Sequence, residues 1–202
     1  NGVRVIVKDK IENDVSIIDA IEKVTELISK KFLKLIDTIY IGNFKFLNDR
    51  KINASYENGA LFISNIQDDL SDLVDDLIHE TSHALEEKYQ ELVYNYGRIQ
   101  REFLSKRYKL FLELKAYNYK VNKEDFLNLD YSKDFDFYLY DKIGYERLQF
   151  FTLNLFPNVY SITSLREYFA SGFETYFLKG PEELKMAPVL LEKIQDLEEI
   201  VI

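Results

Sequence analysis

The chain of 202 residues contains two histidines, His79 and His83, four positions apart, with Glu80 directly after the first. On a helix, a turn of about 100° per residue sets positions 79 and 83 about 40° apart on one face, one turn from each other. Two imidazole nitrogens so placed can reach one metal ion at about 2.0–2.1 Å. Glu80 then lies about 100° round from His79, beside such an ion. A carboxylate there can take a proton from activated water and hand it to a departing amine. His79-Glu80-Thr81-Ser82-His83 is therefore an HExxH pattern, and it uses every histidine the chain has. One Zn2+ per chain suits the donors, because two imidazoles and a carboxylate leave one position open for water. The same residues also admit blander readings: two surface histidines beside a glutamate by coincidence, or a core histidine with a satisfied partner. A structural zinc with four protein ligands and no open position is a third.

Two imidazoles do not complete a catalytic site. The pattern HExxHxxGxxH would supply a third, but its Gly and His positions hold Glu86 and Tyr89, so that class is excluded. A carboxylate from a later helix remains. Tyr160 to Glu174 is the richest later segment, with Glu167 and Glu174 seven apart and hence on one helix face. Glu167 is flanked by Tyr168, Phe169 and Phe173 and is the first candidate; Glu174 is the second. Ser164 three residues earlier gives Glu167 a competing role, as half of a capping box, and Glu174 equally fits a solvated face.

The elements that must position these groups follow from local signals. Val3–Val7 is a β-branched run and reads as a strand. From Val15 to about Ile36, apolar residues at 17, 18, 21, 24, 28, 32 and 35 give one amphipathic helix packed on the sheet. Thr38–Ile41 is a second strand. Lys51–Tyr56 and Ala60–Ser64 flank Asn58-Gly59, a strong hairpin signal. From Asp69 or Ser71, either of which can cap, a helix runs to about Lys88 and carries the histidines. Further helices are expected over Arg98–Tyr119, over Thr163–Leu178 with Gly180-Pro181 as its stop, and from Pro188 onward. Lys123–Asp141 supports no assignment. The fold class is α+β: one domain over residues 1–202, sheet-rich to residue 65 and helical from residue 66, where the site lies.

Composition bounds the rest. Cysteine is absent, which excludes disulfides, thiolate metal sites and a cysteine nucleophile. Lys+Arg 26 against Asp+Glu 35 gives a net charge of −9, which argues against a nucleic-acid partner, since phosphate binding needs a basic face. The basic residues between Arg101 and Lys109 read as a solvated helix face. Asp68, Asp69, Asp72, Asp75 and Asp76 precede the histidines and read as acids favoured by a helix N-terminus, or as a rim attracting basic substrates. No apolar run approaches the roughly 18 residues that span a bilayer. The chain opens at Asn1 without a signal-peptide pattern, as a processed chain or a piece of a longer one does.

His79-Glu-Thr-Ser-His83-Ala-Leu, Tyr160 seven residues before Glu167 in Glu-Tyr-Phe-Ala, and Met186-Ala-Pro188 before a closing helix together resemble the catalytic domain of anthrax lethal factor. They resemble equally the small secreted Pro-Pro endopeptidases of clostridia. The resemblance covers about residues 58 to 202. It implies a zincin-like fold with a cleft between sheet and helices, and a secreted, virulence-related zinc metalloendopeptidase acting on protein or peptide substrates, monomeric in the favoured case. A cytoplasmic location is the alternative. It implies His79, His83 and Glu167 as zinc ligands, Glu80 as base, and Tyr160 as the phenol that stabilises the oxyanion. It also implies that Ala60, Leu61 and Phe62 form an edge strand along which a peptide pairs; the plain alternative is a strand paired on both sides. In one respect the chain departs from the family, which often has Glu four residues after the ligand Glu, orienting a histidine. Here that place is Ser171, leaving the support to Ser171 itself or to another carboxylate such as Glu174. A catalytically silent interaction domain with the same fold is the rival functional reading.

Overall fold

Asn58 and Gly59 both have positive φ, 49° and 84°, the conformation a two-residue hairpin of matching twist demands. The computed structural model describes residues 2–201. Among them the chain is α+β, with four strands in one mixed sheet near the N-terminus and helices after it. Two compact units are distinguished: one runs to Tyr89 and takes in the chain end from Leu197, the other spans Gln90–Asp196. The histidine-bearing helix thus counts with the sheet rather than with the later helices.

The first unit opens with β1 (Arg4–Val7), then α1 (Ile17–Leu27) and α2 (Lys30–Leu33). A single helix from residue 15 to 36 is not formed. Ile28 is extended (φ −119°, ψ 156°), and the Ser29 hydroxyl accepts from the Lys31 amide to start a new turn. Serine competes for backbone partners this way wherever a helix can restart. The restart still buries Ile28, Phe32 and Leu33, so the periodic pattern survives while the helix does not. β2 (Thr38–Gly42) follows, then α3 (Lys45–Arg50), β3 (Ala54–Glu57) and β4 (Ala60–Ser64). α3, within a stretch for which no helix was expected, is too short to show a period, and Leu47 is its one buried residue.

The strand order is β1-β2-β4-β3, with β1, β2 and β4 parallel and β3 antiparallel to β4. β2 is a central strand, and Ile39 and Ile41 are fully enclosed. β4 is central too. Ala60, Leu61 and Phe62 pair with Thr38, Ile39 and Tyr40 on one side and with Glu57, Tyr56 and Ser55 on the other. The expected edge role of Ala60–Phe62 is therefore corrected: their main chain is occupied on both sides, and the edge strands are β1 and β3. Phe62 instead stacks on Tyr40, ring centroids 5.2 Å apart, with Phe44 and Phe46 edge-on to it.

α4 (Leu70–Lys88) completes this unit and packs against α1 and β3. Asp69 caps it, one carboxylate oxygen accepting from the amides of Ser71 (2.7 Å) and Asp72 (3.1 Å). Leu73, Val74, Leu77, Ile78, Ala84 and Leu85 form its buried stripe.

The second unit is helical: α5 (Gln90–Tyr94), α6 (Arg98–Ala116), α7 (Lys123–Leu127), α8 (Lys133–Phe137), α9 (Tyr145–Thr152), α10 (Leu165–Lys179) and α11 (Pro188–Val201), whose last residues count with the first unit. Lys123–Asp141 resolves into α7, α8 and a wide helical turn over Tyr138–Ile143. Three helices meet at Glu102 of α6. Its carboxylate accepts from the Tyr168 hydroxyl (2.9 Å) and from the amides of Val189 (2.9 Å) and Leu190 (3.1 Å). An acid from a neighbouring helix thus supplies the N-terminal cap of α11. Leu190 fills the space that a Cβ on Gly172 would need, so α10 and α11 approach closely at that glycine. No described helix is long and apolar enough to cross a membrane.

Candidate metal centre

One turn of α4 separates His79 from His83, and their rings lie 5.2 Å apart, nearly perpendicular. His83 is 5% exposed and Glu80 7% exposed, while His79 is half-buried. The helix continues through these polar residues because Thr81 and Ser82 return their hydroxyls to the carbonyls of Leu77 and His79, and because the flanking apolar stripe is anchored. Donor atoms of His79, Glu80 and His83 lie within 4.8 Å of one another. Two donors at 2.0–2.1 Å from one ion stand at most about 4.2 Å apart. Rotation of the imidazoles by a fraction of an ångström closes that gap, so the donor set fits a divalent cation.

Glu80 is fixed from the sheet. Its Oε2 accepts the main-chain N–H of Tyr56, in edge strand β3, at 2.6 Å. That N–H points away from β4 and takes no part in the hairpin ladder. One oxygen of the buried carboxylate is thereby satisfied.

Two further carboxylates of α4 belong to this neighbourhood. Glu86 Oε2 lies 3.5 Å from His83 Nδ1, both side chains being buried. Asp76 accepts from Gln67 Nε2 at 3.2 Å, and Gln67 also reaches the Ser64 carbonyl. Burial, reinforced by the charges of Glu80 and Asp72, pushes the Asp76 carboxyl up to about 7 against the opposing pull of Gln67 and His79. Of the acidic run, then, Asp69 is a helix cap as expected, whereas Asp76 is half-buried and within electrostatic reach of Glu80 and His79.

The remaining sequence candidates lie in the second unit. Tyr160 begins a short 3-10 turn to Ile162 and is half-buried. Its carbonyl accepts from the Thr163 hydroxyl and amide. Ser164 caps α10 by accepting the Glu167 amide at 3.1 Å, so the serine half of the capping box is present. Glu167 and Glu174 are half-buried on α10. Ser171 is fully buried, and its hydroxyl has no hydrogen-bond partner among the described residues, so it makes no orienting bond there.

Three contributors escaped the sequence reading. Tyr56 acts through its main chain, which leaves no trace in residue type. Glu86 stands where HExxHxxGxxH would need a glycine, which hides that its spacing of three from His83 is itself a helical-neighbour signal. Asp76 is masked by the run of acids that a helix N-terminus favours. Comparison of the chain with protein-family models, with curated proteins and with solved structures returns no match.

Proposed function

We propose that this chain is a zinc metalloendopeptidase. The observation supporting this reading is the cluster on α4: two imidazoles and a buried glutamate with donor atoms within 4.8 Å, the glutamate oriented by the main chain of an edge strand. His79 and His83 hold the ion, and Glu167 is the proposed third ligand. Zinc, when bound, supplies a Lewis acid and makes water a usable nucleophile near neutral pH.

The chain's own groups do the rest. Glu80 accepts the proton of the attacking water and delivers it to the amine that leaves. The bond from Tyr56 holds one carboxylate oxygen still, so the other is presented in a single orientation. Tyr160 is proposed to donate its phenolic hydrogen to the carbonyl oxygen as negative charge develops there, stabilising the transition state more than the bound peptide. β3 lies beside Glu80 with Ala54, Ser55 and Tyr56 buried and α4 packed on it, so the bond from Tyr56 is held inside packed structure. The proposed substrate is a protein or peptide.

Cleavage of a mixed peptide library by the purified chain tests the reading. Cutting should require zinc, stop with chelator, and fall by roughly 10²–10⁴ in Glu80→Ala. A Glu80→Ala protein that cuts as fast as the wild type overturns it.

A further inference from the structure

Glu86 is an acid placed where acids are expensive. Its side chain is 12% exposed, on a helix whose residues 80 to 86 are all buried. An ionised carboxylate only accepts hydrogen bonds, and burial is tolerated when a donor faces it. The ring nitrogen facing Glu86 is Nδ1 of His83, 3.5 Å from Oε2, and the imidazole is 6% exposed. Spacing of three on a helix brings these side chains together without help from any other element.

A neutral imidazole carries one proton. With a carboxylate facing Nδ1, the favoured tautomer has Nδ1–H toward Glu86 and a lone pair on Nε2. Nε2 is then the atom offered to a metal, and the buried negative charge makes that nitrogen a better donor. The separation of 3.5 Å is at the long end for a hydrogen bond, and a ring turning onto an ion has room to shorten it. Ser171, which stands where the family often has an orienting Glu, offers a hydroxyl with no partner among the described residues. We infer that Glu86 is a positioning residue: it sets His83 in the Nδ1–H tautomer, which puts the lone pair on Nε2, the atom a metal would take. This rests on the metal-centre reading above.

The experiment uses the full chain without an affinity tag. Because it contains only two histidines, a long-range proton–nitrogen NMR spectrum shows four ring nitrogens, assigned with a His79→Gln variant. Metal-free protein near pH 8.5, above the ordinary imidazole range, should show His83 protonated at Nδ1. Glu86→Leu should lose that preference. Zinc sulfate titrated against a chromophoric chelator should bind Glu86→Leu roughly 10–100-fold more weakly than the wild type, with Glu86→Gln between them, since its amide oxygen still accepts. Thermal unfolding of the metal-free variants separates this from loss of fold. If Glu86→Leu does not fold, Glu86→Gln, of equal size, carries the test with an expected loss of at least about 3-fold. Zinc affinity equal across wild type and folded variants, or wild-type His83 protonated at Nε2, overturns the inference alone. A wild type with no zinc affinity overturns the metal-centre reading and this inference with it.

Discussion

The main-chain N–H of Tyr56 points out of the sheet and ends on Oε2 of Glu80, 2.6 Å away. A backbone group of the edge strand and the proposed base of the reaction are thus joined directly, without an intervening side chain.

Tyr56→Pro removes that donor and leaves the β3–β4 ladder intact, because the lost N–H is not part of it; proline is tolerated on edge strands for this reason. A buried carboxylate deprived of a bond loses about 1–3 kcal/mol. Peptide cleavage by Tyr56→Pro should fall roughly 10- to 100-fold while zinc content is unchanged. Full activity in a folded Tyr56→Pro protein would remove the amide from the mechanism.

Glu167 and Tyr160 are separable by what they are proposed to touch. Glu167→Ala should lose zinc in equilibrium dialysis, as a missing ligand does, with cleavage lost in parallel. Tyr160→Phe should keep its zinc and drop in kcat by about 10²–10³, the scale of one oxyanion donor. A Glu167→Ala protein that holds zinc as tightly as the wild type would sink the ligand assignment. A Tyr160→Phe protein with wild-type kcat would do the same for the phenol.

Asp76 makes stability depend on pH. Its carboxyl titrates at about 7 in the fold and in the ordinary carboxylate range near 4 once unfolded. Between those values the folded chain binds more protons than the unfolded one, so stability falls as pH rises. Asp76→Asn keeps the shape and removes the charge. In denaturant unfolding of zinc-free protein, it should match the wild type near pH 4 and exceed it by about 2–4 kcal/mol at pH 8. Parallel curves at both pH values would show that Asp76 is not held protonated.

What could be read from the sequence was whatever is decided locally. The Asn58-Gly59 turn, the Asp69 cap of α4 and the Gly180 stop of α10 are each written within a few residues. So was the pairing of His79 with His83, because one helix carries both. The break at Ile28–Ser29 was hidden because both halves bury the same apolar pattern. The placing of β4 inside the sheet was hidden because strand order depends on which distant strands meet. For the site, Glu80 was legible as a residue type, but its partner is a peptide group of Tyr56, and every residue has one.

β3 has only four residues, Ala54–Glu57, roughly 13 Å of strand. Alternate residues face outward along it, and Glu80 already holds the amide of Tyr56. The first three residues of β3 are buried and α4 packs on it, so this edge offers no open row of main-chain groups. The bond that fixes Glu80 therefore also keeps this edge of the sheet from pairing with another chain.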